Sequence, residues 1–235
     1  MTDNKKQTKK HLKQGLKARN YNSEKAIFEL KKAIKLNPNL AEAYYELSFY
    51  CDTAEAMKAL NKAIEIKPDY TGSYELRGLL YENCYQNPKS ALADYNIAIS
   101  LNPKNAETYK SRADILKQFE RYDEAIADYK KAISLETENS SYLTSLGLCY
   151  LAKNNLKSAT KCFKKAIRKT KDNFCKARAY QYLGYTYIAN NEEISNAIKY
   201  LKKSIEFFEK TPFPQEAPYE DLKIILSEEK AKQEK

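Results

Sequence analysis

AETYKSRADILKQFERYDEAIADYKKAISLETEN, residues 106–139, is the stretch whose reading decides the fold. Tyr109, Arg112, Ala113 and Leu116 recur at three- and four-residue spacing, which lays one stripe along a first helix. From Tyr122 onward, Ala125, Ile126, Tyr129, Ala132 and Ile133 form the apolar stripe of a second helix. Phe119-Glu120-Arg121 between them is long enough only for a turn, so the two helices pack antiparallel. Ala125 and Ala132 mark where the helix axes approach closely, because a larger side chain there would overpack the contact.

The same alanine pair returns along the chain every 30 to 38 residues. The register runs Ala26–Ala33–Pro38, Ala56–Ala63–Pro68, Ala91–Ala98–Pro103, Ala125–Ala132 and Ala159–Ala166, with a weak sixth copy at Ala197–Ser204. Thr137 and Lys171 stand in the proline slot of the fourth and fifth copies. A proline just past the second helix stops it, since it cannot donate the next hydrogen bond. A fixed period in this range marks a solenoid, whose hairpins bury their apolar faces only against their neighbours. The fold expected is therefore all-α, a right-handed α-solenoid of about six helix-turn-helix repeats closed by a C-terminal capping helix.

These residues resemble the tetratricopeptide repeat. Its pattern of a bulky aromatic, Leu-Gly and Tyr on the first helix, then Ala, an aromatic, Ala and Pro on the second, is seen at Tyr74, Gly78, Tyr81, Ala91, Tyr95, Ala98 and Pro103. It is seen again at Leu143, Leu146-Gly147, Tyr150, Ala159, Phe163 and Ala166, and partly at Tyr44, Leu47-Ser48 and at Tyr180, Leu183-Gly184, Tyr187, Leu201. The resemblance covers about residues 12–208. Repeats are expected at about 12–38, 39–70, 71–105, 106–139, 140–173 and 174–210, after a basic segment 1–11 and before a proline-containing break and capping helix at 211–235. Three departures stand out. The second repeat is short at FYCDTAEA, which calls for an abrupt turn or a short first helix. Pro88 of the third suits the first turn of its second helix. The first repeat has Gly15 but no aromatic on its first helix. Residues 217–233 read as a helix with Tyr219, Leu222, Ile225 and Leu226 on one side, a cover for the solenoid's exposed end.

Composition narrows the function classes. In 235 residues there are 5 Gly, no Trp and 20 Tyr, and no apolar run approaches membrane-spanning length. The start, MTDNKKQTKKHLKQ, is basic without the apolar stretch of a secretory signal, so the expected location is cytoplasmic. Cys51, Cys84, Cys149, Cys162 and Cys175 are scattered and read as small buried fillers of a reduced chain. His11 is the only histidine, and no Gly-rich phosphate loop is present, so neither enzyme chemistry nor a cofactor or metal is expected. The net charge of +10 is unevenly spread: residues 1–37 and 153–176 each carry +8, whereas residues 38–138 carry −5.

The family resemblance implies a scaffold or adaptor that holds a partner peptide or helix in a concave groove lined by first helices. Carried onto this chain, the groove positions are Glu42, Tyr45 and Phe49 in the second repeat and Glu75, Leu79 and Glu82 in the third. They are Glu107, Lys110, Asp114 and Lys117 in the fourth, Ser141, Thr144, Leu148 and Leu151 in the fifth, and Arg178, Gln181, Tyr185 and Ile188 in the sixth. Leu148, Leu151, Tyr185 and Ile188 would form an apolar patch if they face that groove. Some members of the family hold a chaperone's C-terminal carboxylate in a clamp of Lys, Asn and Arg. Here the matching positions are Lys110, Asp114, Ser145, Arg178 and Tyr182, and the Asp114 carboxylate would repel the ligand, which argues against a clamp. A second surface is the Lys-rich side of the fifth repeat's outer helix: Lys157, Lys161, Lys164, Lys165, Arg168 and Lys169. It reads as a solvated face or, as the alternative function, an electrostatic site for nucleic acid or anionic membrane. The scarcity of Arg and of interleaved aromatics argues against nucleic acid. Self-association through a solenoid end or the groove is the remaining partner class.

Overall fold

The computed structural model describes residues 2–19, 21–190, 194–214 and 218–233. Among them it contains thirteen α-helices and no strand. The chain divides into two compact units, residues 1–108 and 109–235, with the boundary in the first turn of α7.

Unit 1 holds α1 (Thr2–Ala18), α2 (Ser23–Leu36), α3 (Ala41–Ser48), α4 (Thr53–Ile66), α5 (Thr71–Asn83) and α6 (Pro88–Leu101). Unit 2 holds most of α7 (Ala106–Gln118), with α8 (Tyr122–Leu135), α9 (Ser140–Ala152), α10 (Leu156–Lys169), α11 (Asn173–Asn190), α12 (Ile194–Phe208) and α13 (Tyr219–Gln233). Within each unit the helices pair as hairpins, and second helices also touch the next first helix, as α2 touches α3 and α10 touches α11. That nearest-neighbour stacking is the solenoid the alanine period demands.

All eleven alanines of the register are buried, and Ser204, in the twelfth slot, is fully buried as well. Its hydroxyl is satisfied by donating to the Ala177 carbonyl at 2.8 Å, which is how a polar residue survives in a methyl-sized slot. The proline slot proves dispensable. The residue after each of the first five second helices donates its N–H to the last register alanine, from Asn37 to Ala33 through Thr170 to Ala166, whether or not proline follows. Most second helices begin on a side-chain cap: Asn22, Asp52, Asn87 and Asn155 each accept an N–H three residues on, at 2.8–3.1 Å.

Glycine marks where a first helix meets the bulky residue of its partner. A Cβ on Gly78 would lie 2.7 Å from the Tyr95 ring, and one on Gly147 would lie 2.5 Å from Phe163. Charged pairs clip two hairpins: Arg77 grips Asp94 through two bonds of 2.8 Å, and Arg112 grips Asp128 through two of 2.7 Å. In the first hairpin the aromatic slot is filled by His11, whose Nδ1 lies 2.5 Å from a Glu29 carboxylate oxygen. The lone histidine therefore ties α1 to α2.

Several sequence expectations meet detail here. The second repeat resolves its deficit by a short first helix, α3, and Pro88 opens α6 as expected. The basic segment expected at 1–11 is continuous with α1 from Thr2 onward, apart from Met1, which lies outside the described residues. Of the 211–235 segment, residues 215–217, 234 and 235 are likewise outside them. In α13, Leu222 and Ile225 are half-buried while Tyr219 and Leu226 are exposed, so only part of the expected apolar side is covered. Cys149 and Cys162 are buried, and that burial pushes each thiol up to about 11, but Cys84 is exposed rather than a buried filler. No described helix is long and apolar enough to cross a membrane, and the described residues contain no cluster of three metal-ligating side chains.

Candidate functional site

In unit 1, Tyr45 lies at the centre of an aromatic contact. Its ring meets Phe49 and Tyr70 edge-on, each with centroids 5.1 Å apart, and fills the space over Gly72. Phe49, at the end of α3, is 43% exposed, with the Arg19 guanidinium 5.0 Å over its ring. Leu79 occupies the equivalent slot of α5 and is 39% exposed. The Tyr70 hydroxyl is pushed up to about 12 by burial and then by the Glu42 charge. Glu75 is engaged by its neighbours, accepting from Asn105 at 2.7 Å and Thr108 at 2.5 Å. Glu82 accepts the Tyr95 hydroxyl at 3.0 Å, so part of its bonding capacity is spent inside its own hairpin.

In unit 2 the fourth repeat shows the same device. Asp114 accepts the buried Tyr129 hydroxyl at 2.5 Å and pairs with both Lys110 and Lys117 at 3.2 Å. Burial, followed by the Asp114 charge, drives the Tyr129 hydroxyl far above the usual phenol range. Lys110, one of the two cations that match a carboxylate clamp, is thus already facing a carboxylate. The other, Arg178, lies over the Phe174 and Tyr182 rings at 6.0 and 5.4 Å.

The fifth- and sixth-repeat positions do not form the free apolar patch that spacing suggested. Leu148 and Leu151 are half-buried against the cluster of Ala159, Phe163 and Leu183, because the next hairpin reaches their side of α9. Thr144 donates to the Ser140 carbonyl at 3.2 Å, and Gln181 is buried. Gln181 donates to the Tyr185 oxygen at 2.9 Å, and Tyr185 donates onward to Asp221 of α13 at 2.5 Å. The chain's own C-terminal helix therefore occupies the Tyr185 hydroxyl, which burial and the Asp221 bond push up to about 12. Ile188 alone of the four is more than a third exposed.

Of the basic residues on α10, Lys157, Lys161, Lys164, Lys165 and Arg168 are exposed, whereas Lys169 is half-buried and paired with Glu138 at 2.5 Å. The aromatics that spacing within α10 does not supply come from α11 and α12. Tyr187, Tyr200, Tyr180 and Phe207 stack in that order, with centroids 5.4, 6.2 and 5.6 Å apart and planes within 22°. The sequence signal for this ladder is two pairs seven residues apart, Tyr180/Tyr187 and Tyr200/Phe207, which lie along one face of each helix.

Tetratricopeptide-repeat family models match residues 52–70, 86–140, 112–174 and 177–211. Among solved structures, MamA is 26% identical with a TM-score of 0.63, covering 68% of this chain and 90% of that one. YrrB, described as a tetratricopeptide-repeat protein with an unusual peptide-binding site, is 20% identical with a TM-score of 0.68, covering 80% and 96%. The pilF protein of Pseudomonas aeruginosa is 15% identical with a TM-score of 0.71, covering 91% and 97%; it and YrrB share the fold alone. No curated protein matches the sequence.

Proposed function

Because this chain belongs to the tetratricopeptide-repeat family, whose members bind protein or peptide partners, we propose that it is a non-catalytic scaffold that grips a partner segment against its first helices. The observation that carries this reading is the pair Phe49 and Leu79. Two large apolar side chains stand exposed in the same repeat slot of successive first helices, the first of them, Phe49, against the Tyr45 ring. One exposed leucine is ordinary. A repeated slot is not, and covering what remains exposed of each side chain, about two fifths, would contribute about 1 kcal/mol apiece to a complex. The partner that suits this face is an extended peptide or helix with apolar anchors one repeat apart.

In unit 2 the face is shared with α13, so a partner there meets Ile188 and has to compete with Asp221 for Tyr185. Carboxylate capture does not fit, since Lys110 faces Asp114. The test is affinity capture from cell extract with Phe49→Asp and Leu79→Asp variants beside Lys161→Glu/Lys165→Glu. Loss of a captured protein in the first pair, with retention in the second, supports the reading. A captured set indifferent to both apolar substitutions overturns it. Leu148→Asp is a poor probe, because it would bury a carboxylate against Phe163.

A further inference from the structure

Two clefts of about 330 and 370 Å³ open between the second helices of unit 2, the first bounded by α8, α9 and α10 and the second by α10, α11 and α12. They are one repeat apart and built from the same slots. Ile133 and Ile167, Leu146 and Leu183, and Leu143 and Tyr180 line corresponding parts of the two floors. Their rims correspond as well: Lys130 and Lys164 share one slot, Lys165 and Lys203 another. Lys161 completes the first rim and Arg168 the second, so each cleft has three cations. Among the described residues, neither lining includes a carboxylate.

Three of the six cations, Lys130, Lys164 and Lys203, lie over aromatic rings. The Lys130 ammonium lies 5.9 Å from the Tyr150 centroid, and Lys203 lies 5.5 Å from Tyr180. An apolar floor under a ring of positive charge, repeated once, matches a ligand that alternates carboxylates with apolar side chains. Nucleic acid is matched less well. In the second cleft the Tyr180 and Tyr200 faces are occupied by stacking on each other and on Phe207 and Tyr187, so neither of these two rings offers a free face to a base. Five of the six rim cations are lysines, which lack the planar fork that reads phosphate or base edges.

We propose that these paired clefts form a second docking surface, separate from the first-helix face, for an acidic segment of a partner protein. Its carboxylates would sit on the lysine rims, and one leucine or phenylalanine would enter each cleft. The probe is a fluorescein-labelled synthetic peptide of Glu and Asp carrying two leucines, read by anisotropy on the full chain. Its controls are a Leu→Ser peptide of identical charge and an oligouridylate of equal net charge. Peptide binding should weaken roughly tenfold or more with Lys130→Glu/Lys165→Glu, with Lys164→Glu/Lys203→Glu and with the Leu→Ser peptide, and should fall with added salt. All four rim residues are exposed, so both variants should keep the parent's circular dichroism. The Leu79→Asp variant should bind the peptide normally, which separates this surface from the first-helix face. Equal binding of the Leu→Ser peptide, tighter binding of the oligouridylate, or indifference to both charge reversals overturns the proposal.

Discussion

Replacing Gly147 with alanine sets two opposed effects against each other at a known distance. Alanine in a helix interior is about 1 kcal/mol more favourable than glycine. The added Cβ, however, would lie 2.5, 2.8 and 2.9 Å from Cε1, Cζ and Cδ1 of Phe163, well inside van der Waals contact. Phe163 is fully buried, packs with Leu183 and meets Tyr182 at 5.8 Å, so its ring has little room to retreat. Overpacking of this kind costs about 1–3 kcal/mol. The upper part of that range applies to a blocked ring, giving a net loss of about 1–2 kcal/mol. Gly184→Ala brings its Cβ to 2.9 Å from Cγ and Cδ2 of the fully buried Leu201, a looser approach than 2.5 Å, and should lose less, about 0–1 kcal/mol net. Gly72→Ala meets the half-buried Tyr45 ring at 3.1 Å and should be neutral or stabilising. The assay is urea denaturation followed by circular dichroism, with hydrogen exchange to place the loss in α9 and α10, since a solenoid can open repeat by repeat. Phe163→Leu in the Gly147→Ala background should recover part of the loss, with a coupling of about 0.5–3 kcal/mol. A Gly147→Ala protein as stable as its parent, or a zero coupling, would refute the reasoning.

Arg112→Ala strands the nearly buried Asp128 carboxylate and should cost about 2–4 kcal/mol, less than a fully buried pair because Arg112 is 23% exposed; Arg112→Lys should restore only part of that in the same denaturation assay. Tyr185→Phe leaves the buried Gln181 amide without its acceptor and frees Asp221, so hydrogen exchange should rise in α11 and α13, with a stability loss of about 1–3 kcal/mol. The folded Tyr185 hydroxyl is raised above its unfolded value of 10.0, so its contribution is whole below pH 10 and disappears as pH climbs toward about 12. Ultraviolet titration should show late-ionising tyrosines that include Tyr185 and Tyr70, one fewer in Tyr185→Phe. Glu120 sits at φ 57° in the turn between α7 and α8, and Glu120→Gly should stabilise the hairpin by about 0.5–1 kcal/mol in a thermal melt.

The helices were legible because their determinants are local. Ala125 and Ala132 lie seven residues apart on one helix face, and the same interval recurs in every unit, so burial at that slot follows from spacing alone. His11 shows the limit of pattern matching: it looked like the absence of an aromatic, yet it fills the aromatic slot by bonding to Glu29. The binding face was less legible. Helical phase nominated Phe49 and Leu79, which are exposed, but also Glu82 and Asp114, whose carboxylates accept hydroxyls from Tyr95 and Tyr129 thirteen and fifteen residues away. A carboxylate's direction depends on which hydroxyl lies within reach, and the helical period carries no record of that.

By itself the sequence determined an all-α stack of hairpins, the positions of its close contacts, and its membership of a family that binds protein segments. These follow from small residues at a regular interval, since only close-packed helices demand them. The tertiary structure decided which nominated side chains are already spent. It docked Asp221 onto Tyr185, turned Leu148 and Leu151 toward Phe163, stacked four aromatic rings from two helices, and opened two lysine-rimmed clefts. Each of those outcomes joins residues on different helices, where the controlling quantity is a distance in space that no interval along the chain encodes.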